Sequence, residues 1–366
     1  MTLSRRKFIT LIGGGTIVAA GGAAAGFAAT RTPNDAIAPW GAAGGYDDPR
    51  KWALSYAILA PNAHNRQPWK VDLRTPDQVI IWRDKDRDLP ETDPFHRQLV
   101  ISLGCFLEQM RIAAADRGID VTFDYFPDGE DGPVTIAHFK EGATPDPLFA
   151  AIPNRRSCKE PFTDQTLGLD QVTTLQDFAI IKTDAADVEA LKTLTWEAWL
   201  TETYYPPTMK ESVDLMRLGK AEINATPDGI DMGGTFLESL MLAGLLTRES
   251  LMDPESTSFK QGAIIYQEML NATHAYAVLT SQENTRATQL DAGRQWLRLN
   301  LKTTEMGLAL HPVSQALQEY PQMAEHYTKA HEMLAQPGET VQMLGRVGYG
   351  PQTPRTPRWP LETVII

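Results

Sequence analysis

The chain has 366 residues, 42% hydrophobic and 22% charged, with a formal net charge of −12. That length can bury a large core as one domain or two, and the acidic balance excludes nucleic acid and anionic membrane surfaces as natural partners. With only Cys105 and Cys158, a disulfide-stapled scaffold is excluded as well.

The N-terminus reads Ser4-Arg5-Arg6-Lys7-Phe8-Ile9, followed by an apolar run from Leu11 to Ala29 that is rich in Gly and Ala. So diluted a run is weakly hydrophobic and short for a membrane span. It resembles a twin-arginine export signal, with residues 1–28 removed by cleavage after Ala28, or else retained as an anchor. The resemblance implies handling by the twin-arginine (Tat) export machinery and a periplasmic location. That route carries folded proteins, so it suits a chain that binds its cofactor before crossing. Residues 29–46, rich in Pro, Gly and Ala, read as a linker.

Asp47-Asp48-Pro49 has the acids and the proline of a helix start, and Trp52, Ala53, Tyr56, Ala57 and Leu59 continue a helical apolar pattern. Trp69 to Leu73 and Val79 to Trp82 read as strands. Leu99 to Arg117 is a long apolar helix closed by Gly118. Val121 to Phe126 and Val134 to Phe139 alternate in polarity around an Asp-Gly-rich turn and predict a hairpin. In the second half Ala275 to Thr280 reads as a strand, Asp291 to Met306 as a helix closed by Gly307, and Leu308-Ala309-Leu310 follows as another apolar segment. Gly104 and Gly118 recur at the same interval as Gly293 and Gly307, which suggests an internal duplication: a first half over 47–150 and a second over 151–366. Residues 205–262 match neither half and read as a lid or extra helical layer.

The densest chemical signal is Ala60-Pro61-Asn62-Ala63-His64-Asn65-Arg66-Gln67-Pro68-Trp69. Pro61 ends the preceding helix and Pro68 keeps the exit extended, so the amide and imidazole groups between them are held on a loop of fixed path. Asn and Gln each offer a donor and an acceptor, which suits a ring with both along one edge. A rigid turn stapled by a buried Trp is the other reading. A second cluster, Arg155-Arg156-Ser157-Cys158-Lys159-Glu160-Pro161-Phe162, offers guanidinium groups and a hydroxyl for a phosphate, or simply a solvated helix start. Near the C-terminus, Gly348-Tyr349-Gly350-Pro351 leads through Arg355 and Arg358 to Pro360-Leu361-Glu362-Thr363-Val364. Its prolines stiffen an extended path, and Leu361, Val364, Ile365 and Ile366 look like a strand to be paired.

The loop resembles the A-P-S-x-x-N-x-Q-P-W motif of the nitroreductase family of FMN flavoproteins, and more closely its Acg-like branch, in which a His precedes the Asn as His64 does here. The arginine cluster resembles the family's R-R-S-x-R-x-F motif, with Lys159 at the third basic position and one residue inserted before Phe162. The tail resembles the family's C-terminal motif. The resemblance implies an α+β nitroreductase-like fold of two pseudo-symmetric halves around one FMN. It also implies Asn65 at the flavin, with His64, Gln67 and Trp69 shaping the pocket, and Arg155, Arg156, Ser157, Arg355 and Arg358 at the phosphate. Ser314, in His311-Pro312-Val313-Ser314-Gln315, stands where the family places a loop against the reactive face of the ring. Loop and arginines occur in the reverse of the ordinary order, one per half, as a fused and degenerate pair would require.

Metal-ligand spacings, a Gly-x-Gly-x-x-Gly after a strand, and Gly-x-Ser-x-Gly are absent from the sequence, so metallohydrolase, dinucleotide-fold and serine-hydrolase readings fall away. The arginines beside Cys158 could lower its pKa, but no base adjoins it in sequence. The expected function is an FMN-dependent oxidoreductase reducing a small organic acceptor by a ping-pong cycle, no side chain acting as acid or base. The electron donor and substrate are left open, as is the choice between a monomeric pseudo-dimer and a homodimer. The alternative is an FMN-binding or sequestering protein with little turnover.

Overall fold

The computed structural model describes Phe27 and residues 30–366; the expected export signal lies outside the described residues, apart from Phe27. The fold is mixed α and β, and its first half is built around one helix. Asp48 caps α1 (Pro49–Ala57), its carboxylate accepting the Arg50 N–H at 2.9 Å. Strands β1 (Trp69–Asp72) and β2 (Gln78–Arg83) precede α2 (Arg97–Asp116), and β3 (Ile119–Tyr125) and β4 (Thr135–Glu141) follow it. Asp93 caps α2 by accepting the N–H groups of Gln98 and Leu99, using free donors that every helix start exposes. Gly118, at φ +75°, lets the chain turn out of the helix into the β3–β4 hairpin, in which Val121 faces Phe139 and Tyr125 faces Thr135.

The second half repeats the plan. Strand β5 (Ile180–Lys182) is followed by α3 (Ala185–Tyr204) and an insertion holding a short parallel pair, β6 (Met216–Leu218) and β7 (Ile230–Met232), and ending in α4 (Thr257–Asn271). Then come β8 (Tyr276–Ser281), α5 (Arg286–Glu305), β9 (Ala309–Pro312), α6 (Ala324–Leu334) and β10 (Thr340–Gly348). The two four-stranded antiparallel sheets have the orders β1-β2-β4-β3 and β5-β8-β10-β9. In each, the strands lie first, second, fourth, third, with a helix of 20 residues between the second and the third.

Those two helices touch backbone to backbone. A Cβ on Gly104 would stand 2.0 Å from the Leu290 carbonyl oxygen, and one on Gly293 would stand 1.9 Å from that of Ile101. Each glycine meets the carbonyl three residues before the other, a reciprocal contact of the kind a two-fold axis generates. Above the crossing Glu108, fully buried, binds Arg111 from its own helix and Arg294 and Arg298 from α5. Despite its burial, these guanidinium groups hold the Glu108 carboxyl down at about 2.

Two regions differ from the sequence reading. Residues read as a linker are packed structure: Asn34–Ile37 and Pro39–Ala42 form helical turns, and Trp40 is 5% exposed. Gly and Ala composition suggested slack chain, but a buried indole fixes the segment. In the tail, Leu361–Val364 is a helical turn rather than a strand. Only the end of the tail pairs with β1, Ile365 bridging to Val71 and the Ile366 N–H donating to its carbonyl at 2.9 Å.

Candidate functional site

The loop after α1 carries unusual backbone strain. His64, Asn65 and Gln67 adopt φ of 47°, 53° and 51°, a left-handed region that costs a residue with a Cβ roughly 1–3 kcal/mol. The loop is held there from both sides: the Ala63 N–H donates to Ser102 Oγ of α2 at 3.0 Å, and the Gln67 N–H to Asn62 Oδ1 at 2.7 Å.

Its amides hold the tail and the insertion. Asn65 Nδ2 donates to the Pro357 carbonyl at 3.1 Å while its Oδ1 accepts from Arg358 Nη1 at 2.6 Å. Gln67, fully buried, donates through Nε2 to the Pro227 carbonyl at 2.7 Å and accepts the Trp359 N–H at 2.9 Å. The Gly229 N–H donates to the Asn65 carbonyl at 3.2 Å, so the 205–262 segment lies directly on the loop. Trp69 is in the core, 1% exposed and 4.7 Å centroid to centroid from Phe106; it anchors the loop exit from inside. On the flank, Asp228 of the insertion gathers Arg87 at 2.8 Å, Arg217 at 2.6 Å and Arg66 at 3.8 Å, and accepts from the Trp359 indole N–H at 3.3 Å.

Arg155, Arg156, Arg355 and Arg358 come together on the other side of the tail. Arg155 Nη2 and Arg358 Nη2 both donate to the Leu59 carbonyl, at 2.9 and 3.1 Å, just beyond the end of α1. Arg155 also reaches Asn300 Oδ1 at 3.2 Å. Arg156 Nε donates to the Thr353 carbonyl at 3.3 Å. Among the described residues none of these four arginines forms an ion pair with a carboxylate. Burial, then Arg156, lowers the Arg155 guanidinium to about 10. Burial, then Arg155 and Arg156, pushes Arg358 well below its ordinary value. The Nε atoms of Arg155 and Arg358 are buried without a partner, an uncommon state for a donor and one that calls for an explanation. Ser157 makes no side-chain hydrogen bond with the described residues. This is the donor set an anion requires.

Lys159 lies near Asp231, His64 and His311, its ammonium pKa lowered by burial against the opposing pull of Asp231. Burial, then Lys159 and Arg66, brings His64 down to about 4, and its Nδ1 has no partner. Burial, then Arg346 and Lys159, holds His311 well below its ordinary range. Both imidazoles are therefore neutral near pH 7. Ser314 donates through Oγ to the Leu344 carbonyl at 3.1 Å, and the Val313 N–H is used by the same carbonyl at 2.9 Å, so this turn is stitched to β10. Burial raises both thiols, Cys105 to about 12, which removes the electropositive activation considered for Cys158.

The sequence reading missed Trp40 and Asp228, and it matched Lys159 to the motif without nominating it. Lys159 had a signal, its two-residue spacing from Ser157; Asp228 sat in a polar Asp-Gly turn like many others.

No family model matches the chain. It is 24% identical over 328 residues to "Putative NAD(P)H nitroreductase Rv3131" of Mycobacterium tuberculosis, the match covering 85% of this chain and 89% of the relative. To "Putative NAD(P)H nitroreductase acg" of the same organism it is 35% identical over 81 residues, 22% of this chain and 24% of the relative. Among solved structures, a "putative nitroreductase" from Anabaena variabilis matches with TM-score 0.44 and 11% identity over 86% of this chain and 91% of that one. The FMN-dependent nitroreductase NfnB of Mycobacterium smegmatis matches with TM-score 0.36 and 14% identity, covering 58% of this chain and 94% of that one. The chain is thus similar over most of its length to a putative nitroreductase, and over about a fifth of its length to acg.

Proposed function

We propose that the protein is an FMN-binding oxidoreductase of the nitroreductase type, with one flavin site formed where its two halves meet. The observation that carries this reading is the set of four arginines without an acid among the described residues, in a chain of net charge −12, packed against a strained loop from the other half. An acidic protein concentrates uncompensated guanidinium groups where an anion will neutralise them. The buried, unpartnered Nε donors and the free Ser157 hydroxyl fit a phosphate.

FMN, when bound, supplies reversible two-electron chemistry. Arg156, Arg355 and Ser157 would take its phosphate, with Arg155 and Arg358 behind them. Asn65 fixes Arg358 and so positions the array. Lys159 supplies positive charge beside His64 and His311, which favours a ring gaining negative charge on reduction. Neutral His64 and His311 offer hydrogen bonds and no mobile proton at pH 7. The relatives' names point to a nicotinamide donor and a small organic acceptor, used in turn in a ping-pong cycle. Export by the twin-arginine route to the periplasm, with the flavin already bound, completes the proposal. The matching strand orders and the reciprocal glycine contact support its origin as a fused pair.

The test is direct. Purified protein should be yellow and release FMN on denaturation, and stopped-flow mixing with NADH or NADPH should bleach it, with colour returning on a nitroaromatic or quinone. Colourless protein that takes up no FMN would sink the proposal. The second reading, sequestration without turnover, is favoured by the insertion and tail closing over the loop; FMN that is bound yet bleached by no donor would select it.

A further inference from the structure

The segment 34–42 lies across the arginine array, and its Trp40 is the centre of that array. The guanidinium carbons of Arg156, Arg355 and Arg358 stand 4.8, 5.7 and 5.8 Å from the Trp40 ring centroid, inside the range at which a cation is held by an indole face. The ring is itself fixed, with Nε1 donating to the Thr356 carbonyl at 2.8 Å. The strand of tail beneath it is fixed to the same segment, the Arg358 N–H donating to the Ala36 carbonyl at 2.8 Å. The Ala36 N–H in turn donates to Asn224 Oδ1 of the insertion at 3.1 Å. Segment, tail and insertion are thereby locked together at one point.

Three like charges around one ring repel each other, and among the described residues no carboxylate offsets them. An indole is suited to hold such a set, because its face attracts cations without neutralising them. An acid in the same place would quench the array and exclude an anion; an aliphatic side chain would let the arginines part. We propose that Trp40 is a positioning residue, and that segment 34–42 is a strap whose indole gathers Arg156 and Arg355, with Arg358 behind them, into the array that takes the phosphate of a flavin nucleotide. The inference rests on the flavin reading and adds to it the element that selects the phosphorylated form.

The test compares FMN with riboflavin, which has the ring and lacks the phosphate. Flavin is stripped from wild type, Trp40→Phe, Trp40→Leu and Trp40→Ala, and both affinities are measured by quenching of flavin fluorescence, with circular dichroism to confirm folding. Wild type should prefer FMN. Trp40→Phe should keep most of that preference, whereas Trp40→Leu, close to Phe in bulk but without a π face, should lower FMN affinity at least tenfold and leave riboflavin affinity unchanged. Trp40→Ala should follow Trp40→Leu; if it fails to fold, the Phe and Leu variants decide. Equal loss of both flavins in Trp40→Leu, or no loss of FMN, overturns the assignment of Trp40 alone. Wild type that binds neither flavin overturns the flavin reading and this inference with it.

Discussion

Two carboxylates and one indole each gather three arginines in this molecule, and the difference between them separates scaffold from site. Asp228 binds Arg66, Arg87 and Arg217, and Glu108 binds Arg111, Arg294 and Arg298, in ion pairs that neutralise part of the charge. Trp40 holds Arg156, Arg355 and Arg358 and neutralises nothing. The first arrangement joins elements distant in sequence, the first-half loop and the stretch after β2 to the insertion, and α2 to α5. The second keeps positive charge in reserve. Guanidinium groups alone therefore do not mark a binding site; what stands beside them does.

The comparison can be broken at several points. The largest effect is expected for Asp228→Ala, which leaves the largely covered Arg66 and Arg217 without a carboxylate while Arg87 keeps Asp84; breaking a buried pair costs about 3–5 kcal/mol, read as a fall in the denaturant midpoint. If that midpoint holds, the hub is not structural. Arg156→Ala should do the opposite, leaving the midpoint nearly unchanged while weakening FMN by about 1.5–3 kcal/mol, the worth of a hydrogen bond to a charged group. Unchanged FMN content would remove the phosphate assignment.

Glu202 supplies the mirror image, a buried acid without a cation. Burial raises its pKa from 4.5 to about 7, so the folded state holds a proton that the unfolded state releases. Stability should then fall as pH rises from about 4.5 to 7 and stay level above. Glu202→Gln should flatten that slope, raising stability at pH 8 by about 1–3 kcal/mol and changing little at pH 4; melting curves at the two pH values check it. The smallest effect concerns His64, lowered from 6.5 to about 4. Its folded form resists protonation, so stability should fall as pH drops from 6.5 towards 4, and His64→Gln should remove about 1 kcal/mol of that fall. A slope identical to wild type would mean that this imidazole is not enclosed.

Much of this was legible in the sequence because it is local. The hairpin of β3 and β4, the start of α1 at Asp48 and the glycine exits of both central helices follow from alternation, capping and φ requirements within a few residues. The loop and the arginines were legible as motifs. Their partners were not. Gln67 offered an amide that could serve a ring edge equally well, yet it holds Pro227 and Trp359, contacts between segments far apart in the chain. Trp40 sat among Gly, Ala and Pro that give no periodicity, and its importance comes from arginines more than a hundred residues away. Nothing local distinguishes a tryptophan in slack chain from one at the centre of a cationic array.

The crossing of Gly104 and Gly293 limits how such a protein could breathe. With main chains in contact, the central helices form a rigid spine, and parting them would expose carbonyls and take Arg294 and Arg298 away from the buried Glu108. Any opening must then hinge at the periphery, where the proline-rich C-terminal stretch and the short N-terminal turns are held by hydrogen bonds outside the two sheets. Hydrogen exchange should show the same gradient, slowest in the spine and fastest at this latch.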